Sequence, residues 1–247
     1  MDRDVRMRVS KPFYKAGAAS ECVTPDESLW LAGYAARTKP AQGKISDLFA
    51  SALTLDDAQG NRIVIASIDL IAITPIISEP VIDAVREKIG LARERLLLAC
   101  SHTHYGPECR PDKALFFKIP PDYAAKIPAV AQRLADALIR VIIESTRNTV
   151  PVKLIARRTS AGFAHNRRRG GIKDAVTSLE DIVDNDVPIL DVISTETDLR
   201  KAIVFGYACH NTTIPLDDYR YCADWAGFAK EQLERLNSGA TALFITG

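Results

Sequence analysis

The chain has 247 residues, 47% hydrophobic and 26% charged, with Lys+Arg 32 against Asp+Glu 31 and a formal net charge of +1. That length supports one large domain or two small ones with a substantial core. The balanced charge excludes a global field that would steer nucleic acid or an anionic membrane. No apolar run is long enough for a transmembrane helix, and the charged start Met1–Arg8 lacks the apolar segment of a signal peptide. Cys22, Cys100, Cys109, Cys209 and Cys222 are odd in number and form no C-x-x-C pair, so they read as reduced thiols in a cytoplasmic protein. Cys100 and Cys209 stand beside histidines, which leaves a ligand role open for each.

Residues 13–19 predict a short first strand. Thr24-Pro25 opens a loop to about Gly43 that carries Trp30, Gly33, Tyr34 and Arg37. A loop of that length is either functional or a lid packed on the sheet. Phe49–Leu55 and Arg62–Asp69 predict a hairpin turned by Asp56–Asn61, with the second strand apolar enough for burial on both faces. Asp69, at its end, is either a site carboxylate or the cap of the next loop. Ser78-Glu79-Pro80 opens a helix through Val81, Ile82, Val85 and Ile89 that closes on Gly90.

Leu96–Cys100 is an apolar strand that delivers Ser101-His102-Thr103-His104-Tyr105-Gly106-Pro107 to a Gly-Pro break. In an extended strand, side chains at i and i+2 share a face, so His102 and His104 would stand side by side. Such a pair presents two imidazoles to one metal ion, or one to the ion and one to its substrate; chance placement on a sheet surface is the plain alternative.

A helix follows over about 122–146, with Val130, Leu134, Leu138, Val141 and Ile142 on one face and Pro128 breaking or kinking its start. Val152–Arg158, Pro188–Ser194 and Lys201–Cys209 predict strands. Between the first two runs a long loop with Arg167, Arg168 and Arg169. Those arginines fit a solvated basic loop, an anion contact in an active site, or a nucleic-acid patch that lacks any aromatic stacking platform. Lys201–Cys209 again ends an apolar run in a histidine, His210. Asp224 would cap a helix carrying Trp225, Phe228, Leu233 and Leu236. Thr241–Gly247 reads as a strand entering a turn, and the expectation is a fragment of a longer protein.

These elements predict one α+β domain over 1–247, with layered β-sheets covered by helices. No internal repeat, glycine-rich phosphate loop or G-x-S-x-G elbow is seen.

Ser101–Pro107 resembles the S/T-H-T-H-S-G-P stretch of the neutral/alkaline non-lysosomal ceramidase family, N-terminal catalytic domain. Collinear with it are A-G-x-A-x-x-x-x-T-P (Ala16–Pro25), L-A-G-Y-x-x-R (Leu31–Arg37), Asn166-Arg167, C-H-x-T (Cys209–Thr212) and A-D-x-x-G (Ala223–Gly227). The resemblance implies a Zn2+-dependent amidohydrolase that cleaves N-acylsphingosine or a related lipid amide. It implies that His102 and His210 are zinc ligands, that His104 lies beside the ion or touches substrate, and that Arg167 stabilises developing charge. The family's glutamate and tyrosine ligands and its serine fall beyond Gly247, and Tyr105 stands where the family usually has serine. The chain by itself is therefore expected to hold metal weakly or not at all. Two other expectations are a same-scaffold hydrolase of a soluble amide or ester (or an inactive relative), and a binding module using the Arg167–Arg169 loop. Neither a nucleic-acid partner nor a particular oligomeric state is expected.

Overall fold

The computed structural model of the chain describes residues 14–166 and 183–247. Three antiparallel strands come first: β1 (Tyr14–Cys22), β2 (Phe49–Asp56) and β3 (Arg62–Ile68). Helix α1 (Pro75–Ile89) then crosses over to β4 (Leu96–Cys100), which pairs parallel to β3. A one-turn α2 (Pro121–Ala124) and the long α3 (Ile127–Arg147) lead to β5 (Val150–Ser160), β6 (Asp186–Ser194) and β7 (Arg200–Tyr207), again antiparallel. Helix α4 (Asp224–Leu236) crosses over to β8 (Thr241–Thr246), which lies parallel to β7. The eight strands form one sheet in the order β4-β3-β2-β1-β5-β6-β7-β8.

The order reads the same from either end. Each half is three antiparallel strands, a crossover helix and a parallel fourth strand, and the halves meet where β1 pairs antiparallel with β5. The chain therefore contains an internal structural repeat that the sequence does not display. Topology needs only apolar alternation in the strands and a crossover of sufficient length, so the two copies share a pattern without sharing residues. The connections also differ, residues 69–74 before α1 against 208–223 before α4.

The sheet folds over on itself. Ser67 Oγ of β3 donates to the Phe244 carbonyl of β8 at 2.6 Å, and Thr246 Oγ1 donates to the Cys100 carbonyl at the end of β4 at 2.8 Å. Ala16, Leu53 and Leu55 of one half pack with Val192, Ala202, Val204 and Leu243 of the other. Helices α1 and α3 cover the outer face of the first half through Ile77, Val81, Leu134, Leu138 and Ile142. Ala226 of α4 packs on Phe205 and Phe244 on the outer face of the second half. The result is helix, sheet, sheet, helix, the layering that the sequence predicts. Among the described residues no helix is long and apolar enough to cross a membrane.

Local signals hold with shifts at the ends. Helix α1 closes on left-handed Gly90 (φ 66°), whose N–H caps the last turn, but it starts at Pro75 and carries Pro80 inside it. Pro128 is the second residue of α3, so the break falls between α2 and α3 rather than as a kink. Burial on both faces belongs to β2 rather than β3, because Ile63 and Ile65 of β3 are not enclosed.

Asp69 is neither a site carboxylate nor a loop cap. Wholly buried, it accepts from the Phe49 N–H at 2.9 Å and from Lys230 Nζ of α4 at 2.6 Å, tying α4 to the end of β3. Removing one member of such a pair strands the other charge in the core. Lys230→Met is expected to cost about 3 kcal/mol in chemical denaturation, and Asp69→Asn in the same chain should recover most of it. A double variant no more stable than the single one would show that the pair is not coupled.

Candidate metal centre

Strand β4 stops at Cys100, so His102 and His104 do not share the face of an extended strand. Instead His102 adopts the left-handed region (φ 60°), a conformation costing a non-glycine residue about 1 kcal/mol. That turn aims the two rings inward, with centroids 5.3 Å apart. Strand β7 likewise ends at Tyr207, before His210. Its ring lies 4.5 Å from that of His102 and 4.9 Å from that of His104, centroid to centroid. One ligand nitrogen from each of the three falls within 4.8 Å of the others. The convergence is built by the folded sheet, which brings the ends of β4 and β7 together.

Hydrogen bonds hold these loops in register. Asn211 Nδ2, beside His210, donates to the Ser101 carbonyl at 2.6 Å. Thr103 Oγ1 donates to the Cys222 carbonyl at 2.7 Å, and the Tyr105 hydroxyl donates to the Ile214 carbonyl at 2.6 Å. Burial pushes the Tyr105 phenol well above its ordinary range, which keeps it a donor. Asp224 does not cap α4 in the ordinary way. In a left-handed conformation (φ 56°), it turns its carboxylate onto Thr213 N and Oγ1, Ile214 N and Trp225 N, clamping the loop that follows His210.

The long loop 24–43 forms the wall behind His104. Tyr34 packs on the His104 ring at 4.8 Å between centroids. A Cβ at Gly33 would fall 2.5 Å from that ring, and Gly33 has φ 97°, so only glycine fits. Arg37 is 4% exposed and donates to three carbonyls: Ala32 (3.3 Å), His104 (2.9 Å) and Asp218 (2.9 Å). The Tyr34, Tyr105 and Tyr219 rings surround its guanidinium at 5.0–5.4 Å. Desolvation lowers its pKa, and the phenols oppose that. Loop 24–43 thus packs on the histidine cluster, and Arg37 ties it there.

His102 Nδ1 donates to the Ile71 carbonyl at 2.7 Å, which sets the tautomer and leaves the Nε2 lone pair for a ligand. His104 Nε2 and His210 Nε2 are 2.8 Å apart, so one carries a proton and donates to the other. Two nitrogens on a tetrahedral zinc would stand about 3.3 Å apart, so both rings could face one ion after opening by about half an ångström. An all-imidazole set of this size fits zinc and other borderline divalent ions. Among the described residues no carboxylate or thiol joins the cluster. Cys100 and Cys209 have thiols raised by burial and directed at the carbonyls of Ile71 and His210, so they stay neutral. Arg167, with Arg168 and Arg169, lies outside the described residues.

No family model matches the chain. The structure of neutral ceramidase from Pseudomonas aeruginosa superposes with a TM-score of 0.80 at 20% identity, over 96% of this chain and 39% of that one. A ceramidase complexed with C2 superposes with a TM-score of 0.80 at 19% identity, over 95% and 37%. The chain thus has the fold seen in these ceramidases and spans about two fifths of their length.

Proposed function

We propose that the chain is the histidine-bearing part of a zinc-dependent amidohydrolase of ceramidase type, acting on N-acylsphingosine or a related N-acyl lipid. The observation that carries this reading is the meeting of His102, His104 and His210 from the two halves of a ceramidase-like fold. In it, His102 and His210 hold the ion and His104 handles the proton. Arg167 keeps its assignment to the developing oxyanion on motif grounds alone.

A bound zinc ion would supply hydroxide at neutral pH and polarise the amide carbonyl. The chain's own residues supply the rest. The bond from His102 Nδ1 to Ile71 keeps Nε2 unprotonated, and Asn211 with Asp224 holds the His210 loop against that of His102. A His210 Nε2 committed to the ion would give up its bond to His104 Nε2, which lies 2.8 Å from it and would then be the nitrogen that hands a proton to the leaving amine.

The test is hydrolysis of a fluorogenic N-acyl amine by the complete protein. Turnover should vanish with chelator and return with zinc. Activity indifferent to chelation would overturn the metal reading. Activity on soluble amides that ignores long-chain ceramide would keep the metal and replace the substrate.

A further inference from the structure

Shortly after His104 the chain makes a tight knob, residues 110–119. Its backbone is closed by Phe117 N–H to Lys113, Lys118 N–H to Leu115 and Ile119 N–H to Ala114, all at 2.9–3.1 Å, and Lys118 takes a left-handed φ of 50°. Ala114, Phe117 and Ile119 root it in a satellite core with Trp30, Tyr123 and Ile127. At the tip, Leu115 is 94% and Phe116 71% exposed, the two highest values for large apolar side chains among the described residues. Two adjacent apolar side chains on a braced turn are held out by the fold rather than left loose; Lys118 flanks them on one side, and on the other Lys113 is paired with Asp112 at 3.0 Å.

We propose that Leu115 and Phe116 are an anchor that inserts into the interfacial layer of a lipid bilayer, with Lys118 reaching the phosphates. A braced apolar tip with a long cationic side chain beside it matches the interfacial zone, where the ring and isobutyl groups leave water while the ammonium group stays wet. A protein partner is disfavoured by size. A stable protein interface covers about 800 Å² on each side, far more than two side chains at a convex turn supply. The balanced net charge is no obstacle, because insertion of apolar surface supplies most of the attraction. The purpose of the anchor rests on the lipid-amide reading above, since such a substrate must be drawn from a membrane; the binding itself does not.

The experiment is flotation of the whole chain with phosphatidylcholine vesicles containing no amide lipid, with and without phosphatidylserine. The wild-type chain should float, equally well after chelator treatment. L115S/F116S should lower the bound fraction by about tenfold. Lys118→Glu should weaken binding to both kinds of vesicle, and more to those with phosphatidylserine. Phe116→Trp should gain blue-shifted emission, above the Trp30 and Trp225 background, that brominated lipids quench. A wild-type chain that stays with the buffer, a double variant that floats as well as its parent, or an unquenched Trp would overturn the proposal. So would L115S/F116S lowering the thermal midpoint by several degrees or dissolving a dimer, which would mark the tip as a protein contact. Loss of the metal centre leaves flotation unchanged, so the two readings fail separately.

Discussion

His102→Ala or His210→Ala is expected to weaken zinc binding by about 100-fold or more, and His104→Ala to leave it within a few-fold. The magnitude follows from sharing roughly 10–16 kcal/mol of structural-zinc affinity over four ligands, so that each removed ligand costs on the order of 3 kcal/mol. The wild-type chain should itself bind weakly, because among the described residues the cluster offers imidazoles and no carboxylate. Competition titration against a chromophoric chelator, run on the complete protein, reads all three variants. Cobalt absorption would report the geometry independently. The 2.8 Å contact of His104 Nε2 with His210 Nε2 makes the His104 result decisive. Loss equal to that in the other two variants would mean that three imidazoles hold the ion, and the proton role would need another group.

Arg37→Met should be the most damaging change away from the histidines, costing about 4 kcal/mol or more. Methionine fills part of the space but leaves the carbonyls of Ala32, His104 and Asp218 without their donor. The buried Ala32 and His104 carbonyls cost about 1–3 kcal/mol each when stripped of their donor, and the part-buried Asp218 carbonyl costs less. The effect should reach the site, because this guanidinium joins loop 24–43 to the loops of His104 and His210. Weaker zinc binding and an altered cobalt spectrum are expected even at temperatures where the variant remains folded. Arg37→Lys should rescue only in part, since an ammonium carries the charge but lacks the planar fork that reaches three carbonyls. A folded Arg37→Met chain with wild-type zinc affinity would reduce Arg37 to a stability residue.

The hairpin signal of Phe49–Leu55 and Arg62–Asp69, the 3.6-residue period of Ile127–Arg147 and the glycine closing α1 are signals within one window of sequence, and the structure follows them closely. His102 and His210 were also legible, each as a histidine just past an apolar strand. His102 and His104 are brought together by a turn and not by strand alternation. An extended strand would have placed them on one face, whereas the backbone reverses hand at His102 and aims both rings by a turn. Arg37 carried no signal for its role, because its partners are carbonyls, and every residue has one.

Composition and periodicity by themselves determined the element types, most of their order and which apolar strands are followed by histidines, since those depend on side-chain spacing along one strand or one helix. Tertiary structure alone decided the doubled topology, the folding of one sheet onto itself and the meeting of imidazoles from residues 102, 104 and 210. It also decided that Asp69 would serve Lys230 and that Asp224 would serve a loop rather than a helix end. Such contacts join residues far apart in the chain, and their free energy depends on how a curved sheet brings them together, which no local pattern encodes.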